Sequence, residues 1–104
     1  MYNASGDYQS ALNDINSYNE LKPYNADIWY EKGRALRNLN RLQESIPAFT
    51  RAIQLNKNKA VFYHERGRTY YNLGNINSAK PDISMAIQLG YDQVDPSIRS
   101  KLGL

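Results

Sequence analysis

The chain has 104 residues, enough for one domain with a thin core, because a fold of this size buries only about 60–65% of its unfolded surface. There is no cysteine and a single histidine, His64, so disulfides, thiolate nucleophiles, Cys-type zinc sites and paired-imidazole sites are excluded. No segment approaches the ~20 consecutive apolar residues of a membrane span, and Met1–Asp7 shows neither the basic nor the apolar part of a secretion signal. The net charge of +3 is unevenly placed: −2 over residues 1–25, +4 over 26–59, zero over 60–93 and +1 beyond. Lys32, Arg34, Arg37 and Arg41 concentrate the positive charge mid-chain, short of the continuous basic stripe that nucleic-acid binding wants.

In chain order, a first helix is expected from Gly6 to Pro23, with Tyr8, Leu12, Ile15 and Tyr18 on its apolar face. Residues 26–59 then align on residues 60–93 without a gap. Eleven of the 34 positions are identical, which makes the segment an internal duplication. The identities include Gly33/Gly67, Arg34/Arg68, Asn38/Asn72 and Pro47/Pro81, and Trp29/Tyr63 and Phe49/Ile83 keep bulk at equivalent positions. Each unit reads as two amphipathic helices. In the first unit, Ile28/Trp29, Gly33, Leu36 and Leu39 share one helical face, and Leu42, Ser45/Ile46, Phe49 and Ala52/Ile53 share another. Asn40-Arg41 and Gly74-Asn75 link the two helices. No segment alternates apolar and polar residues as a strand would, so the chain is all-α.

Gly33 and Gly67 on the first helices, facing Ser45 and Ala79 on the second, remove bulk where two axes must approach within about 8–10 Å. Pro47 and Pro81 fall at one phase inside the second helices. An interior proline costs ~3 kcal/mol, so a late helix start or a bend is expected at both, with Asn77 and Gln43 near the caps. At the far end, Asp95-Pro96 and Gly103 bracket a short helix that places Ile98 and Leu102 on the last repeat.

The order Trp29, Gly33, Leu36, Ser45, Phe49, Ala52, repeated as Tyr63, Gly67, Tyr70, Ala79, Ile83, Ala86, resembles the tetratricopeptide repeat. Lys32 and Arg66 stand where that family has a leucine before the glycine, Ser45 replaces an alanine, and Lys57 and Tyr91 replace its closing proline. The resemblance implies antiparallel helix hairpins stacked as a right-handed α–α superhelix within a single domain. It divides into a partial repeat at 1–25 (mainly a second helix), repeats at 26–59 and 60–93, and a capping helix at 94–104. Roughly ten residues of the first repeat would be missing, leaving the Tyr8–Tyr18 face without its neighbour. A piece cut from a longer protein is the expected reason.

No catalytic constellation is visible. His64 has Gly67 and Arg68 as its helical neighbours, the carboxylates are scattered and the glycines are single, so no catalysis, metal or cofactor is expected. The resemblance implies instead a non-catalytic interaction scaffold whose first helices line a concave groove, placed in the cytoplasm by default. In phase, Asp27, Tyr30, Arg34, Arg37 and Asn38 of one repeat, with Val61, His64, Arg68, Tyr71 and Asn72 of the next, are the groove candidates. Arginine forks and amide side chains suit an extended, acidic peptide or a free carboxylate. The bland alternative is that Glu31 and Glu65 pair with neighbouring arginines on a solvated face. The family's lysine–asparagine–arginine grip on chaperone tails is not reproduced, since Tyr30, Arg34 and Glu65 occupy those phases. RNA binding and self-association through the N-terminal half repeat are the competing readings.

Overall fold

The computed structural model describes residues 4–104, so Met1–Asn3 lie outside the described residues. Six helices follow in order: α1 (Ala4–Leu21), α2 (Ala26–Asn38), α3 (Leu42–Leu55), α4 (Ala60–Asn72), α5 (Ile76–Gln88) and α6 (Pro96–Lys101). The described residues contain no strand. Contacts run between successive helices, α1 on α2, α2 on α3, α3 on α4 and α4 on α5, which is the nearest-neighbour packing of a repeat stack. The radius of gyration of 13.9 Å exceeds the ~13 Å of a compact domain this long, as a flattened stack requires.

The turns explain the hairpins. Asn40 has φ 60° and Gly74 has φ 80°, and each reverses the chain just past a first helix. In the left-handed region an asparagine or glycine is the least strained choice. There Arg41 N donates to Leu36 O at 2.8 Å and Asn75 N to Tyr70 O at 2.9 Å. Starts are capped by Asn25, which accepts from Asp27 N and Ile28 N, by Asn75 from Ser78 N, and by Asp95 from Ser97 N.

The late start expected at the prolines does not occur. Helix α3 begins at Leu42 and α5 at Ile76, each carrying its proline as the sixth helical residue. Asn75, not Asn77, caps α5, and Arg41 rather than Gln43 precedes α3. The physical reason is exposure. Pro47 and Pro81 sit on the solvent side, as do Gln43 and Asn77, whose carbonyls lose their donors. A carbonyl on the solvent side can take its hydrogen bond from water, so the helix need not be shortened.

Burial confirms the close approach. A Cβ on Gly33 would lie 2.5 Å from Phe49 Cδ1 and Cε1, and one on Gly67 would lie 2.9 Å from both Asp82 Cβ and Ile83 Cδ1. Phe49, Ala52, Phe62, Ala79, Ile83 and Ala86 are fully buried. Trp29 and Tyr63 are half-buried rather than fully enclosed, because each reaches back to the loop ahead of its helix. Trp29 Nε1 donates to Pro23 O at 2.7 Å, and Tyr63 Oη donates to Lys57 O at 3.0 Å. Ile98 of α6 and Leu102, its C-cap, join Ala79 and Ile83 in one cluster.

The N-terminal face differs from expectation. Leu12 does not face an open flank; it is buried with Ala35, Leu36 and Ala48, against Trp29 and Leu39. Tyr18 remains more than a third exposed, and Leu21 and Tyr24 are largely exposed, at 84% and 76%.

Alanine at Gly33 should therefore destabilise the fold by ~1–3 kcal/mol despite alanine's better helix propensity, because the Phe49 ring has no room to yield. Thermal unfolding checks it: Gly33→Ala lowers the midpoint by several degrees, Phe49→Leu in that background recovers part of the loss, and a raised midpoint contradicts the packing.

Candidate functional site

The face shared by α2 and α4 carries the in-phase polar residues. Arg37, Asn38, Arg68 and Asn72, with Asn40 and Leu42, line one cavity of about 530 Å³. No carboxylate is among those lining residues. Arg68, Asn38 and Asn72 are exposed, and Arg68 has no acidic partner within 4 Å among the described residues. Both asparagines can donate and accept toward a main chain lying across them.

Arg37 is different. Its Nη1 donates to Glu65 Oε1 at 2.8 Å across the repeat boundary, with both side chains less than one-fifth exposed. His64 Nδ1 lies 2.9 Å from Glu65 Oε2, and the Tyr91 ring stacks on the His64 ring at 4.1 Å. Glu65 is thus held from two sides beneath the groove. Burial by itself would raise its pKa, but the hydrogen bonds from His64 and Arg37 outweigh burial and hold it at about 2. The surface pairing expected of Glu65 is instead a buried, interhelical one.

The remaining candidates are placed elsewhere. Asp27 pairs with Lys59 at 3.1 Å, and Arg34 pairs loosely with Glu31 at 3.4 Å, both outside the 530 Å³ cavity. Tyr30 packs between Phe49 and Phe62, with ring centroids at 5.8 Å and 5.0 Å. That burial, reinforced by the Glu65 charge, pushes its phenol up to about 12, so it stays neutral. Tyr71 packs against the cluster of Ala79, Ile83, Ile98 and Leu102, and Val61 against Ala52, Ile53 and Phe62. His64, expected at the surface or in the groove, is 94% buried under Tyr91.

A second cavity of about 690 Å³ adjoins, lined by His64, Arg68, Tyr91, Asp92, Asp95 and neighbouring residues of the 91–98 segment. Tyr91 and Asp92 escape a reading of the repeats because they lie after α5; the signal present was Tyr91 standing in place of the closing proline. A further buried pair, Arg66 with Asp82, also goes unseen in the sequence. It is bidentate, Nε to Oδ2 and Nη2 to Oδ1 at 2.7 Å each, and Arg66 Nη1 reaches Thr50 Oγ1 at 3.2 Å. It ties α4 to both α5 and α3. No group of three metal-ligating side chains occurs among the described residues, and no helix among them is long and apolar enough to cross a membrane.

A stack of helix hairpins with a polar, amide-lined groove on its first helices defines a helical-repeat fold. Residues 26–59 and 60–89 each match the Tetratricopeptide repeat, and the chain belongs to that family. It is 38% identical over 53 residues to the uncharacterized protein MJ0572 of Methanocaldococcus jannaschii, an alignment spanning 51% of this chain and 62% of that protein. MamA (MSR-1) superposes with a TM-score of 0.76 at 28% identity, over 80% of this chain and 48% of MamA. The Yersinia enterocolitica type III secretion chaperone SycD, solved in complex with a peptide of the translocator YopD, superposes at 0.79 and 14% identity over 95% of this chain and 76% of SycD, which shows the shared fold. The chain thus spans about half the length of MamA and under two-thirds of MJ0572.

The Glu65 network predicts an acid-sensitive fold. A folded-state pKa of about 2 against 4.5 means the contribution is complete above pH 5 and lost as the pH falls toward 2. Urea unfolding at pH 7, 4 and 3 should show that loss in the wild type, and Glu65→Gln should be weaker at pH 7 with a flatter dependence. Parallel pH profiles for the two would refute it.

Proposed function

We propose that the chain is a non-catalytic protein-interaction scaffold that holds an extended segment of a partner protein in the groove between α2 and α4. The observation that carries this reading is the convergence of Arg37, Asn38, Arg68 and Asn72, from two equivalent helices, on one cavity without a lining carboxylate. Arg68 is the free cation of the set and would take an acidic side chain or chain terminus. Asn38 and Asn72, one repeat apart, would pair with successive stretches of peptide backbone. Arg37, already neutralised by Glu65, would position rather than attract. SycD, which has this fold, holds a peptide of another protein, and membership of the repeat family supports the same use here. Asp27, Tyr30, Arg34, His64 and Tyr71 then serve the scaffold and the rim more than the ligand.

The test is a pull-down by wild type, Arg68→Glu and Lys80→Glu, the last on the exposed side of α5. Loss of the same partner with Arg68→Glu alone, at unchanged helicity, is the expected result. Retention by Arg68→Glu with loss in Lys80→Glu would move the site to the opposite face.

Self-association is a second reading, favoured by the exposed Tyr18, Leu21 and Tyr24, of which all three border one hollow of about 520 Å³. A solution mass above the 12.0 kDa of one chain, returned to that value by Leu21→Glu, would support it; a monomer at high concentration would dismiss it.

A further inference from the structure

The two groove cavities carry opposite electrical character and share one residue. Arg68 borders both. On the α2 side its neighbours are Arg37 and asparagines, whereas on the other side the wall carries Asp92 and Asp95. Asp95 is committed, its carboxylate accepting from Ser97 N at 2.8 Å to cap α6. Asp92 is exposed and forms no ion pair within 4 Å among the described residues. An uncompensated cation and an uncompensated anion therefore face a single opening without closing on each other. Tyr91 lines the same cavity, and its phenol is pushed up first by burial and next by Glu65, while Arg68 pulls it down and Asp92 pushes it up. Both charges thus act on the same space.

We propose that this groove is charge-polarised and selects an extended peptide that carries an acidic and a basic side chain a few residues apart, the acid seated on Arg68 and the base drawn to Asp92. The inference rests on the groove reading above and adds ligand composition to it. Opposite charges placed in series fix the register of a peptide that carries both, because a shifted or reversed placement of that peptide brings like charges together. The acidic residue lies over the amide-lined cavity of α2 and α4, and the basic residue lies toward the segment joining α5 to α6.

The test is selection of a randomised ten-residue peptide display library on the wild-type chain, Arg68→Glu and Asp92→Lys, followed by affinity measurement of the selected peptides. Both substituted side chains are exposed, and circular dichroism verifies the helices. Wild type should enrich sequences that pair an acidic with a basic residue at a fixed spacing. Asp92→Lys should keep the acidic position and lose the basic one, and should weaken a wild-type-selected peptide about three- to tenfold while leaving its basic-to-alanine version unchanged. Acidic enrichment without a basic position, or identical peptides on Asp92→Lys, overturns the polarity and leaves the groove standing. Identical peptides bound equally by Arg68→Glu overturn the groove reading, and this inference with it.

Discussion

The stack depends on one contact, the seating of a bulky second-helix side chain against a glycine of the first. Phe49 fills the space over Gly33, and Ile83 the space over Gly67. With no Cβ in between, the helix axes come close enough for Ala48, Ala52, Ala79 and Ala86 to be buried as well. The hairpin so formed presents a flank that only the next hairpin can cover. That is why Leu12 is buried among Ala35, Leu36 and Ala48, and why Phe62 of α4 closes on Ala52 and Ile53 of α3.

Polar groups lock the stack at a defined register. Arg37–Glu65 crosses from one repeat to the next, and Arg66 joins Asp82 within a hairpin while touching Thr50 of the preceding one. A buried ion pair adds little net stability over an apolar pair of the same shape, because both charges lose their water. Breaking one partner, however, strands a charge, so a hairpin slipped by one position is strongly disfavoured. The same network fixes the groove floor: Glu65 neutralises Arg37, orients His64, and leaves Arg68 as the cation facing out.

Much of this was legible in the residues. The gapless 34-residue repeat, the paired glycines and the turn residues Asn40 and Gly74 read directly as helix hairpins, since period and turn chemistry are local properties. The late start expected at the prolines did not follow, because the need to shorten a helix depends on whether the freed carbonyl meets solvent, and Gln43 and Asn77 prove exposed. Of the groove candidates, Arg37, Asn38, Arg68 and Asn72, in phase along the sequence, line one cavity. Tyr71 packs on the cluster that α6 completes, and His64 lies under the Tyr91 ring, contacts that phase does not record.

Sequence by itself determined the helices, their pairing and the face each shows to its neighbour, because side-chain spacing along a helix leaves little freedom once glycine and aromatic positions repeat. Tertiary structure decided which charges are free. Glu31 and Glu65 are the same residue at the same phase, yet one is exposed beside Arg34 and the other is buried between Arg37 and His64. The fate of a charge is set by what arrives from across the helix boundary, and no spacing within one helix records that arrival.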